Sequence, residues 1–452
     1  MTEHWVRLRQ AIETRTACLG VIGLGYVGLP VACTFAQAGF RVLGVDVKPE
    51  RVALINAQQS PIEGNEPGLA ELLAQVTSQH RLVATTDYAQ LAQADVVLIC
   101  VETPVADDQR PRFEALERAC RQLGPVLKDG ALVVVESTLA PGTMLGRVLP
   151  WLEATSGRRA VDGFLLAHCP ERVMPGKLLA NLRGVSRVVG GQTPEGASLA
   201  CALYCHVVQA ELDPTDLVTA ELVKTVENAY RDINIAFANE VALICADVGG
   251  DVWKVRDLVN KSPGRQMLLP GTGVGGHCIP KDPWLLVAGV DGRRRAPLIV
   301  TARQVNDEMP REVARLTVDC LRELGVVPGA ARVAVLGYAY LEESDDTRNS
   351  PSAMLASQLA ELGCQVRIHD PYVAEYASDV WQTLDGADCL VLTVAHTAYR
   401  SLDLDAVAAV MRKRGLVDAR RIVSPAAVRR AGFTFRGLGV GVCAAQASLV
   451  GP

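Results

Sequence analysis

Ala17-Cys-Leu-Gly-Val-Ile22 runs directly into Gly23-Leu-Gly25-Tyr-Val-Gly28, and Leu29 to Ala38 follow without a charge until Gly39. The first run reads as a buried strand and the last as a helix closed by a glycine. Phe40 to Val45 is the next strand, with Asp46 at its end, about 20 residues beyond the glycines. A GxGxxG between a strand and a helix permits a tight turn, a close approach of backbone to ligand, and free N–H groups at a helix start for a pyrophosphate. Asp46 would accept hydrogen bonds from ribose hydroxyls and repel a 2′-phosphate, so the turn predicts NAD rather than NADP. Lys48 and Arg51 close behind soften that preference. A structural turn in a flavodoxin-like or FAD domain is the alternative.

Outward from this unit the alternation continues. Ala94 to Val101 and Ala131 to Glu136 are further apolar strand-like runs, and strands separated by helices make a parallel, doubly wound sheet. Thr103 and Thr138 follow two of these runs and are expected to border the nicotinamide, because such sheets bind ligands beyond the carboxyl ends of their strands. From Asp216 to Val248 there is neither Gly nor Pro, and apolar residues recur at helical spacing. A second helical stretch is expected from Pro283 to about Leu324, broken near Gly289–Pro297 and at Pro310. The last part returns to strands at Ala331–Gly337, Gln365–Asp370 and Asp388–Val394. It echoes the first in its Asp after the second strand and its Ala-Asp before the next. The expected fold is α/β: two Rossmann-like doubly wound domains joined by a helical central domain with a long helix. Boundaries are expected at 1–210 for the first, NAD-binding Rossmann-like domain, 211–325 for the helical central domain and 326–452 for the second Rossmann-like domain.

Bulk properties agree with this plan. The chain has 452 residues, too many for one core, with 49% hydrophobic residues and 39 glycines. A net charge of −5 without a basic block argues against nucleic-acid binding. Thr16 to Phe40 carries no charge, yet its five glycines and a proline argue against a membrane or signal segment. The 13 cysteines show no zinc-type spacing, which predicts no metal and scattered reduced thiols in a cytoplasmic enzyme.

The chemistry-bearing residues lie in the middle. Lys224, Asn228 and Arg231 share one face of the long helical stretch, a solvated face or a functional one. Pro270-Gly-Thr-Gly-Val-Gly-Gly-His-Cys-Ile-Pro280 puts Cys278 among free backbone amides that can lower a thiol's pKa; a buried inert cysteine is the plain alternative. Asp282 is a candidate base.

At these residues the chain resembles the UDP-glucose/GDP-mannose dehydrogenase family over nearly its whole length. The matching motifs are Val21–Gly28, Glu136-Ser-Thr-Leu-Ala-Pro-Gly-Thr143, Cys169-Pro-Glu-Arg-Val173, Glu221–Asn228, Gly275–Asp282 and Asp345-Asp-Thr-Arg-Asn-Ser-Pro351. Cys169–Val173 and Arg231–Glu240 look most like the UDP-N-acetylmannosamine branch. The resemblance implies an NAD-dependent oxidation of the C6 alcohol of a UDP-sugar to a carboxylate through a thiohemiacetal and a thioester on Cys278. It implies Lys224 as acid/base and oxyanion partner with Asn228 assisting, Asp282 poising the thiol or water, and Glu171 assisting hydrolysis. Gly23, Gly25, Tyr26, Val27, Gly28, Asp46, Arg51, Thr103, Thr138 and Arg348 would contact the cofactor. Arg172, Val173, Lys224, Asn228, Arg231, Arg265, Gly271, Gly275 and Arg420 would contact the substrate. A homodimer is implied by the family and the length of the helix.

Two departures bear on the sugar. The family reads Phe-Lys where this chain has Tyr340-Leu341, and its Pro-Arg is here Pro263-Gly-Arg265. Arg420 or Arg265 would then replace the missing charge. Rival classes are the same chemistry on UDP-N-acetylglucosamine, UDP-glucose or GDP-mannose, a single-step 3-hydroxyacid-type dehydrogenase, and a non-catalytic NAD-binding regulator. Cys278 together with the second Rossmann-like region separates the first group from the hydroxyacid class.

Overall fold

A computed structural model describes residues 3–62, 64, 66–290 and 296–441. The chain divides into two compact units, Met1–Glu227 with Trp284–Arg295, and Asn228–Pro283 with Ala296–Pro452.

The first unit holds eight strands: β1 Cys18–Ile22, β2 Arg41–Val45, β3 Leu82–Thr85, β4 Val96–Ile99, β5 Ala131–Val135, β6 Phe164–His168, β7 Arg187–Gly191 and β8 Leu212–Asp216. Their order is β3-β2-β1-β4-β5-β6-β7-β8, parallel except where β6 meets β7. The strand order reverses between β1 and β4, where sheets of this kind open a crevice at the carboxyl ends. The central strands are buried on both faces, as their unbroken Val/Ile/Leu runs require. Separate apolar clusters fill the two sides.

The second unit carries β9 Arg332–Leu336, β10 Gln365–His369, β11 Cys389–Leu392, β12 Gly415–Asp418 and β13 Thr434–Gly437, all parallel, in the order β10-β9-β11-β12-β13. Both predicted Rossmann-like sheets are therefore present.

The predicted long helix is Leu217–Val248, 32 residues. It starts where the Asp216 carboxylate caps Thr219 N (2.9 Å) and stops at Gly249, whose φ of 83° suits glycine. The second helical stretch forms as Asp282–Ala288 and Pro297–Glu323. The predicted break at Pro310 does not occur: the helix runs through it. Packing on both sides of the proline outweighs the lost hydrogen bond, since Met309 and Val313 are core residues and Arg303 and Asn306 are bonded to Asp232. Part of the other predicted break, 291–295, lies outside the described residues. Among the described residues, no helix is long and apolar enough to cross a membrane, and Thr16–Phe40 is β1, its turn and the following helix.

Candidate active site

In the first unit the glycine turn is built as its spacing demands. Gly23 has φ +89°, and a Cβ there would sit 2.8 Å from the Cys100 carbonyl oxygen. A Cβ on Gly28 would fall 1.8 Å from the Gly23 oxygen, so only glycine lets the helix start press against the strand. At Gly25 the nearest atom to such a Cβ is Arg51 Nη1 at 3.9 Å, leaving backbone open to an approaching ligand. These three roles fit a dinucleotide.

Asp46 is buried; its Oδ2 accepts from Leu24 N and Arg51 Nη1 (both 2.8 Å) and its Oδ1 from Lys48 N (2.9 Å). Arg51 is thus a partner of Asp46. Tyr26 donates to the Glu66 carboxylate, which also accepts from Gly176 N (2.9 Å) and Leu178 N (3.3 Å). This tethers the turn to the loop that carries Glu171. Sequence reasoning passed over Glu66, which has no motif of its own.

At the carboxyl ends of β4 and β5, Thr103 Oγ1 donates to Thr138 O (2.6 Å), joining the two threonines named as nicotinamide neighbours. Beyond β6, Glu171 is buried and accepts from Val173 N (2.6 Å). Burial raises its pKa, opposed first by Arg187 and then by Lys224. Arg172 is bound to Ser186 O (2.9 Å) and paired with Glu227 (3.1 Å). Lys224 is buried, Asn228 is half-buried and Arg231 is exposed, so the face passes from the interior to solvent along the helix. Its helix is anchored one turn earlier by Glu221, which accepts from Gly142 N and Met144 N (both 2.7 Å).

The second unit assembles the thiol loop. Asn228 Nδ2 donates to Asp282 Oδ2 (2.5 Å), and Lys281 pairs with the same carboxylate (3.0 Å). The Cys278 carbonyl accepts from Lys281 N (3.1 Å) and Asp282 N (2.8 Å), and Cys278 itself is exposed. Gly276 N donates to Arg348 O (2.8 Å), and Asn349 Nδ2 donates to Gly276 O (3.1 Å). Tyr340 packs so closely that a Cβ on Gly275 would lie 2.5 Å from its own Cβ. The Tyr of the Tyr340-Leu341 departure therefore supports the loop, while Leu341 is exposed. Gly271 N donates to Asn239 Oδ1 (2.9 Å), and Asn239 Nδ2 donates to Asn306 Oδ1 (2.8 Å). This internal chain of amides was not foreseen, since only folding brings residues 239, 271 and 306 together.

Two more of the arginines named above have partners within the chain. Arg420 donates to Pro270 O (3.3 Å) and pairs with Glu342 (3.1 Å), covering Gly271. Arg348 is paired with Asp346 in its own loop. Arg231 and Arg265 are exposed.

Sequence models of the UDP-glucose/GDP-mannose dehydrogenase family match in three parts: the NAD binding domain at residues 17–208, the central domain at 218–308 and the UDP binding domain at 334–425. A UDP-N-acetyl-D-mannosamine dehydrogenase of Pyrococcus horikoshii is 38% identical over 94% of this chain and 99% of its own length. A solved structure of UDP-D-ManNAc dehydrogenase from Pyrococcus horikoshii superimposes with a TM-score of 0.87, at 38% identity, covering 93% of this chain and 99% of that one. An NDP-N-acetyl-D-galactosaminuronic acid dehydrogenase of Ralstonia nicotianae is 37% identical over 92% of this chain and 100% of its own length. Fold, glycine turn and relatives together define an oxidoreductase of the NAD-dependent, nucleotide-sugar class. The chain belongs to the UDP-glucose/GDP-mannose dehydrogenase family.

Proposed function

We propose that this dehydrogenase oxidises the C6 alcohol of UDP-N-acetyl-D-mannosamine to the uronate, with Cys278 as covalent nucleophile. The observation that carries the chemistry is the Asn228–Asp282 hydrogen bond, with the Asp282 amide closed onto the Cys278 carbonyl. It ties a helix-borne amide to the loop of an exposed thiol. The Pyrococcus relatives support the sugar.

NAD, held at Gly23–Gly28 and Asp46, supplies the electron acceptor for each oxidation. Lys224 takes the C6 hydroxyl proton and then stabilises the oxyanion, with Asn228 as second donor. The Cys278 thiolate adds to the aldehyde carbon and forms a thiohemiacetal, which the second oxidation converts to a thioester. Water adds to the thioester, Glu171 accepts its proton, and the carboxylate leaves as the thiolate is restored. Overall, one alcohol, one water and two NAD⁺ give one carboxylate, two NADH and three protons.

Residues 1–210 would hold the cofactor, 211–325 the dimer contact and 326–452 the nucleotide. Tyr230, Phe237, Ile244 and Val248 are exposed along the long helix, an apolar stripe that supports a homodimer. The Ralstonia relative favours a second reading, the same chemistry on an N-acetylgalactosamine nucleotide. A panel of nucleotide sugars assayed for NADH separates the two. The expected result is two NADH per UDP-N-acetyl-D-mannosamine consumed; a ratio of one would sink the thioester route.

A further inference from the structure

Behind Glu171 the first unit buries a guanidinium that the reaction above does not use. Arg187, at the head of β7, is 3% exposed. Its Nη2 lies 3.7 Å from Glu171 Oε1, its guanidinium sits 5.2 Å from the Tyr204 ring centre, and its Nη1 has no hydrogen-bond partner among the described residues. A second carboxyl, Glu136 at the end of β5, is 1% exposed. Tyr204 donates to its Oε1 (2.5 Å), while its Oε2 is enclosed and without a partner among the described residues.

A buried cation with no counter-charge costs several kcal/mol, so Arg187 requires one anion beside it. Two carboxylates in one desolvated pocket repel, so one of the pair keeps its proton. Geometry separates their roles. Glu171 is within ion-pair distance of Arg187 and accepts the Val173 amide, both of which favour its charged form. Glu136 takes the Tyr204 phenol and the Cys100 thiol, and among the described residues it has no cation within ion-pair distance. The other titratable groups acting here are Lys224 on Glu171, the Cys100 thiol on Glu136 and the Cys169 thiol on Arg187. Burial pushes Glu136 up to about 7, against the pull of Arg187 and Tyr204, in keeping with this division.

We propose that Arg187 is a positioning residue that holds Glu171 as a carboxylate at mildly acidic pH, where Glu136 behind it still keeps its proton. The role assigned to Glu171 rests on the oxidation proposed above; the charge arrangement does not. Removing Arg187 leaves burial to raise Glu171 further, so the acid limb of turnover moves to higher pH.

The test uses the full-length protein and two readouts. In Arg187→Gln the acid limb of kcat moves up by at least about one pH unit with KM little changed, because a charge at this distance in a poor dielectric outweighs that much. Arg187→Lys restores the limb to near its original position. Glu136→Gln leaves it in place, since the amide replaces a group that already carries its proton. An infrared carboxylate titration, taken as the difference from Glu171→Gln, follows Glu171 without any sugar nucleotide. If that titration moves in Arg187→Gln, the inference holds even for an enzyme with another substrate. If it stays within about 0.3 unit of wild type, or if Glu136→Gln moves it as far as Arg187→Gln does, the inference is overturned.

Discussion

The two sheets repeat the same wiring with different ends. In the first unit, Gly23 N bonds Val45 O (2.8 Å) and the Asp46 carboxylate takes Leu24 N and Lys48 N. In the second, Gly337 N bonds His369 O (2.9 Å) and the Asp370 carboxylate takes Tyr338 N, Ala339 N and Tyr372 N. The Ala-Asp echo is equally literal: Asp95 accepts Cys18 N and Asp388 accepts Arg332 N, each at 2.8 Å. What differs is the remaining partner and the glycines. Asp46 is completed by Arg51, which reaches solvent, whereas Asp370 is completed by the buried imidazole of His396 (3.1 Å). Beyond Gly337 the turn carries Tyr338, Ala339 and Tyr340 where the first has Leu24, Gly25 and Tyr26. The first turn leaves backbone open for a cofactor; the second is filled by side chains, and its Tyr340 supports the thiol loop. One chain path thus serves two ends, and glycine content decides which.

The comparison breaks most visibly at the two aspartates. Asp370→Ala strands buried amides and an imidazole and is expected to cost about 3–5 kcal/mol. Asp46→Ala is expected to cost about 1–2 kcal/mol, because it strands one buried amide, Leu24 N, while Arg51 and Lys48 N turn to water. Thermal unfolding with and without NAD tests both. Asp370→Ala should keep the rise in Tm that NAD produces, and Asp46→Ala should lose it. The reverse pattern would refute the division of labour. Burial raises the Asp370 pKa, but His396 and backbone amides outweigh it and bring it down to about 2. A depressed carboxyl stabilises above its ordinary range and loses that contribution as pH falls toward 2, so about 2 kcal/mol should fade between pH about 4 and 2. Asp370→Asn should lack that slope.

Glycine substitutions sharpen the contrast at the next level. In Gly337→Ala the new Cβ would meet Val394 at 2.6 Å with φ at +104°, so about 1–3 kcal/mol of stability should be lost. Gly25→Ala meets nothing closer than 3.9 Å and should fold normally while binding NAD more weakly by calorimetry. The smallest effect is expected for Arg51→Ala. Its ion pair is part-exposed, so stability should change by less than about 1 kcal/mol. Preference for NAD over NADP should survive, and its loss would show that Arg51 rather than Asp46 sets cofactor choice.

The sequence alone determined the elements whose cause is local. Glycines at 23, 25 and 28 dictate a turn, an unbroken periodic run dictates the long helix, and the Asp46 and Asp370 echo reveals a repeated unit. Local backbone preference and periodicity are properties of neighbours in the chain, so they can be read there. Tertiary packing alone decided that the helix crosses Pro310, that Glu66 holds Tyr26, that Asn239 holds Gly271, and that Arg187 pairs with Glu171. Each joins positions far apart in sequence, and desolvation, which gives these contacts their strength, exists only once the core has closed around them.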